Sequence, residues 1–166
     1  MRVAGSSMSS NNKKSPGKGR REKATLGWRE WVSLPEFGID WIKAKVDTGA
    51  RTSALHAFAL DTFNEGGIEY VEFRLHPLQR DAETEVTCRA PIIDRRVVSD
   101  SGGHREERLV IETPVRVGAD VWPIEVTLTG RENMLFRMLL GRTAIKGRAV
   151  VDPGRSFLTG RPPERS

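Results

Sequence analysis

From Gly27 onward the chain is written in short alternating runs, and that pattern limits the folds open to it. Trp28-Arg29-Glu30-Trp31-Val32-Ser33-Leu34 reads as a strand, Pro35-Glu36-Phe37-Gly38 as a turn, and Ile39 to Val46 as a second strand with apolar residues at alternate positions. The two form a hairpin. Further strands are predicted at 68–76, 85–92, 108–117 and 121–129, the last two joined by a turn at Gly118 to Asp120. Loops rich in Gly, Asp and Ser separate them, and the one helix candidate is short, around Arg142 to Lys146. Many short strands at close spacing predict an all-β barrel or sandwich.

Length and charge narrow the reading. The 166 residues suit one domain, not two catalytic lobes. One cysteine excludes a disulfide scaffold and a Cys-rich zinc module. No apolar run approaches the ~18 residues of a membrane span, and Met1 to Lys23 holds no apolar stretch of secretory-signal length, so a reducing, cytoplasmic setting is expected. The net charge of +5 divides unevenly: residues 1–26 carry +6 and the other 140 carry −1. Residues 1–26, polar and without aromatics, are expected to be a disordered basic arm. Any nucleic-acid contact is expected there and not in the domain. Residues 27–153 are expected to form the domain, and 154–166, with Pro162 and Pro163, a flexible tail.

Asp47-Thr48-Gly49-Ala50 closes the second strand. A strand can deliver the carboxylate to a pocket, the glycine permits a sharp turn, and the Thr48 hydroxyl can support the loop. As a bare string it is also an ordinary turn. A second signal stands near the C-terminus, where Asn133 to Arg142 is an apolar run closing on Gly141, 94 residues after Asp47.

In that order, Asp-Thr-Gly-Ala, many short strands and Leu139-Leu140-Gly141-Arg142 resemble the layout of retropepsin-like aspartic peptidases. With Gly27 to Pro35, Lys43 to His56, Ser101 to Glu106 and Met138 to Ala144, the stretch 27–153 resembles the bacterial retropepsin-like family often labelled "ATP-dependent zinc protease". The resemblance implies an acid-protease barrel with one short helix and one catalytic aspartate per chain. Two carboxylates sharing a proton are needed to activate water, so it implies a homodimer in which Asp47 meets its symmetry mate. It also implies hydrolysis of a protein or peptide with no metal and no cofactor, and Gly141 and Arg142 packed under the Asp47-Thr48-Gly49 loop. A hairpin flap is expected over residues 96–110, its tip at Ser101-Gly102-Gly103-His104. Ala50, Arg51, His56, Ser101, Gly102, Gly103, His104 and Arg105 are the expected substrate contacts.

Familiar retropepsins continue the motif with acids; here Arg51 follows, so Arg142 needs another partner. Arg51 can clamp a carboxylate, and Arg96, Arg105, Arg108 and Arg131 can add to a cationic cleft suited to acidic or glutamate-modified chains. The family is associated with ATP-grasp ligases that add glutamate to proteins. A second hypothesis follows: a non-catalytic binding or regulatory module partnering such a ligase. A third is a zinc-dependent protease. His-Glu-x-x-His is absent, and His56, His76, His104 and Cys88 are scattered. Pro16 to Arg20 lacks the P-loop form for ATP.

Overall fold

A computed structural model describes residues 23–78, 83–99, 102–130 and 135–163. The basic residues 1–22, and with them most of the expected arm, lie outside the described residues, as do Ser101 and Arg131. Twelve strands and one short helix follow in chain order among the described residues. They are β1 (Ala24–Leu26), β2 (Arg29–Leu34), β3 (Ile39–Asp47), β4 (Ser53–His56), β5 (Phe58–Glu65) and β6 (Ile68–Leu75). Then come β7 (Val86–Pro91), β8 (Asp94–Ser99), β9 (Arg105–Val117), β10 (Asp120–Thr129), β11 (Met138–Gly141), α1 (Arg142–Ile145) and β12 (Ala149–Val151).

Alternation builds the first hairpin as expected. Along β2 and β3, Val32, Leu34, Ile39, Ile42, Ala44 and Val46 turn inward while Trp31, Trp41 and Lys43 stay half-buried on the outer face. Pro35 opens a single 3₁₀ turn, and Gly38 at φ 69° closes it in the left-handed region that glycine tolerates. Gly118, at φ 63°, turns β9 into β10 in the same way.

Seven strands form one sheet in the order β10-β4-β11-β3-β2-β9-β8, and β10 also pairs with β9, so the sheet curls into a ring. The join of β2 to β9 is a single register pair, Ser33 with Arg116, so the ring is not a fully hydrogen-bonded barrel. The fold is mainly β with one short helix, as the retropepsin-like class requires. A three-stranded antiparallel sheet, β5-β6-β7, packs Val71, Phe73, Leu75, Cys88 and Ala90 into the same buried cluster as the ring. A small parallel pair joins β1 to β12. Among the described residues no helix is long and apolar enough to cross a membrane.

Ordered contacts extend past 27–153 at both ends. β1 precedes Gly27, and residues 155–159 lie against β2. Arg155 O accepts from Trp28 N at 2.8 Å, and Leu158 N and Thr159 N donate to the carboxylate of Glu30 at 3.0 and 3.1 Å.

Candidate functional site

The Asp47 loop is built by one parallel and one antiparallel pairing with a strand from a distant part of the chain. β11 runs parallel to β3 with Gly141 opposite Asp47, and antiparallel to β4 with Met138 opposite Leu55. The loop from Thr48 to Thr52 is thus held over the end of β11. Gly141 N donates to Ser53 Oγ at 3.0 Å, and Thr127 Oγ1 donates to Ser53 O at 3.2 Å. The first amides of α1, which have no partner inside the helix, go to the loop: Arg142 N donates to Ala50 O at 2.7 Å and Thr143 N to Arg51 O at 3.0 Å.

Within the loop, Asp47 Oδ1 accepts from Gly49 N at 3.0 Å and Ala50 N at 3.3 Å. One carboxylate oxygen is therefore engaged by its own turn, and no described residue donates to the other. Thr48 contributes its carbonyl, which accepts from Arg142 Nη1 at 3.1 Å. That bond supplies the partner Arg142 needs in the absence of a loop acid. Asp47 and Ala50 are half-buried, while Thr48, Gly49 and Arg51 are exposed. The Arg51 guanidinium forms no ion pair with a described residue and is open to an anion.

The other expected contacts are distributed differently. β8 and β9 pair antiparallel from Ser99–Arg105 to Asp94–Val110, so residues 94–99 and 105–110 form the two arms of a hairpin, with Gly102, Gly103 and His104 exposed between them. Gly103 has φ 86°. Arg105 is exposed at the hairpin's end. Arg96 and Arg108 are not cleft cations. Arg96 is paired to Asp94 and Glu125, both at 2.8 Å, and Arg108 is buried against Glu106 at 3.0 Å. The hydrogen bond from Arg96, then the Arg95 amide, hold the Asp94 carboxyl below its ordinary range. His56 is buried in β4 opposite Thr129 and does not face solvent.

The four residues considered for zinc stay apart. His56 lies in β4, His104 at the hairpin tip, and His76 stacks on Phe58 with centroids 4.6 Å apart. Cys88 lies in the core, where burial pushes its thiol up to about 12. Among the described residues no three His, Cys, Asp or Glu side chains gather as a metal site. Sequence reasoning missed Glu30 and Ser53. Glu30 is fully buried, accepting from Gly27 N, Leu158 N, Thr159 N and Thr159 Oγ1. Its signal was its parity with the inward Val32 and Leu34; Ser53 carried none.

Ring-like sheet, short helix and Asp-Thr-Gly loop seated on a late glycine define a protein of the retropepsin-like class. More narrowly, the chain belongs to the RimB-like family, described as "Retropepsin-like aspartic endopeptidase RimB", which matches residues 25–162. A crystal structure of a Legionella pneumophila protein of unknown function is similar, with a TM-score of 0.70 and 27% identity over 83% of this chain and 99% of that one. Among curated relatives, a "Probable alpha-L-glutamate ligase" of Desulfotalea psychrophila is 47% identical over 138 residues. Proteins of the same name from Parasynechococcus marenigrum and Shewanella pealeana are 44% and 41% identical over 138 residues. The match covers 83% of this chain and 30% of each relative.

These relatives correct the expected activity. The expected free-standing aspartic peptidase, a hydrolase and protease, is overturned because the same segment is 30% of proteins named as ligases.

Proposed function

We propose that this chain is a non-catalytic retropepsin-fold module that partners an ATP-grasp α-L-glutamate ligase. The observation that carries the reading is the recurrence of this segment, at 41–47% identity, as 30% of proteins named probable α-L-glutamate ligases. In this reading the module binds and positions, and the ligase does the chemistry. The loop Asp47-Thr48-Gly49-Ala50-Arg51, seated on Gly141 and Arg142, is its recognition edge. Arg51 and the hairpin tip at Gly102, Gly103 and His104 face the acidic chain that a glutamate ligase extends. Guanidinium and carboxylate are complementary in charge and in their two-pronged geometry. The reducing cytoplasm suits a chain whose one thiol, Cys88, is buried and free.

The test mixes the purified chain with an α-L-glutamate ligase. Association is followed by calorimetry and light scattering, and glutamate addition to a protein acceptor is followed with and without the chain. A one-to-one complex and a lowered acceptor KM are expected, with Asp47→Asn as effective as wild type and Arg51→Ala weaker by about tenfold. Absence of both association and a rate effect would sink the proposal. So would peptide hydrolysis by the isolated chain that Asp47→Asn abolishes.

A further inference from the structure

The outer face of the β2–β3 hairpin carries aromatic and cationic side chains that neither the core nor the Asp47 loop uses. Trp31 stands opposite Lys43 and Arg29 opposite Lys45, while β9 brings Arg116 beside Ser33. Rings and cations are stacked here. Lys43 Nζ lies 5.2 Å from the Trp31 ring centre, and Phe157 from the C-terminal segment stacks on Trp31 at 6.1 Å and 25°. Arg29 and Arg161 sit 4.8 and 4.7 Å from the Phe157 ring.

Next to this stack a cavity of about 230 Å³ is walled by Trp31 and Trp41, with Ser33, Asp40, Arg116 and Thr159 around it. That is smaller than the roughly 300–1,000 Å³ of small-molecule sites. It suits one flat ring and not a whole cofactor. On the β5-β6-β7 sheet and the β8–β9 hairpin, four arginines are matched by acids: Arg74 with Glu85, Arg89 with Glu72, Arg95 with Glu69, Arg96 with Asp94 and Glu125. On the hairpin face, Lys45 and Arg116 are exposed and form no ion pair with a described residue, and Asp40 is the acid at the cavity.

We propose that this face binds single-stranded RNA, with one base in the Trp31–Trp41 cavity and the neighbouring phosphates on Lys43, Lys45 and Arg116. Aromatic platforms beside a cationic track are how single strands are held without sequence readout, and the cations supply the phosphate contacts. Ser33, Asp40 and Thr159 offer hydrogen-bond partners to a 2′-hydroxyl, the group that separates RNA from DNA. The charge of residues 1–26 directs attention to the arm; the hairpin face places the contact in the folded domain.

The experiment titrates the full chain with a fluorescein-labelled eight-nucleotide single-stranded RNA, the same sequence as DNA, and poly-glutamate as a polyanion without rings. Fluorescence anisotropy and tryptophan quenching are read at several salt concentrations. The RNA is expected to bind and quench, more tightly than the DNA, while poly-glutamate does neither. Trp41→Ala should weaken RNA binding at least fivefold and Trp41→Phe much less. Arg116→Gln, at an exposed position, should weaken it severalfold and flatten the salt dependence by about one phosphate contact. If Trp41→Ala fails to fold, as judged by circular dichroism, Arg116→Gln decides. Three results overturn the proposal: no RNA binding, affinity unchanged in the folded variants, or equal binding of poly-glutamate. Loss of ligase association in these variants without RNA binding also overturns it, making the face a protein interface.

Discussion

A methyl group at position 141 has nowhere to go. A Cβ there would lie 2.6 Å from Thr52 C, 2.7 Å from its oxygen and 2.8 Å from Ser53 N, all backbone atoms that cannot swing aside. The register with Asp47 explains the crowding: β11 passes directly beneath the loop, and only glycine lets the two backbones approach. Gly141→Ala should cost about 1–3 kcal/mol, the usual range for overpacking. The measurement is the urea midpoint at constant m-value; an unchanged midpoint would mean the loop is not seated on Gly141 in solution. Glycine's role here was legible in sequence as an apolar run closing on Gly. Arg142 was legible as a residue needing a partner, but not the partner itself. Its bond goes to the Thr48 carbonyl, and a backbone acceptor leaves no mark on residue type.

At the scale of elements, the C-terminal segment acts through one buried carboxylate. Glu30 is wholly buried, and its oxygens accept three backbone amides and one hydroxyl. Glu30→Ala leaves the Gly27, Leu158 and Thr159 amides without their acceptor, each worth about 1–3 kcal/mol where water cannot replace it. A loss of about 3 kcal/mol is expected, with faster amide hydrogen exchange at Leu158 and Thr159 than in β9. Exchange at those two amides equal to wild type would refute the clasp. The strands show how legibility depends on parity. β2, β3, β6 and β7 alternate and are readable. β4 is buried at all four positions, so Ser53-Ala54-Leu55-His56 has no period to find. β5 is mostly exposed and mixes apolar with polar residues, paired on one side only, and β8 is a charged hairpin arm whose arginines answer to acids on other strands. The segment after Asp152 reads as a loose tail because its hydrogen bonds end on residues about 130 positions earlier.

For the whole molecule, the ring and the β5-β6-β7 sheet share one buried cluster, from Val32 and Ile42 through Phe73 and Cys88 to Leu140. A shared core predicts one cooperative unfolding transition. Far-ultraviolet circular dichroism and tryptophan fluorescence should give coincident urea curves; separate midpoints would mean two folding units. All-β class and one-domain size follow from local pattern. The order of strands in the ring does not, because β4 and β11 are parallel to partners far off in the chain. Those same parallel pairings set a schedule for synthesis. β3 leaves the ribosome long before β11, yet Asp47 is registered against Gly141. During translation the Asp47 turn therefore waits, its edge of β3 unpaired, until Gly141, 94 residues further on, has emerged. Pairing across such separations folds slowly, and an open strand edge invites wrong partners. The feature that builds the recognition loop is thus also the last part of it to arrive, and a truncation that spares every residue of the loop but removes β11 would leave that loop without a floor.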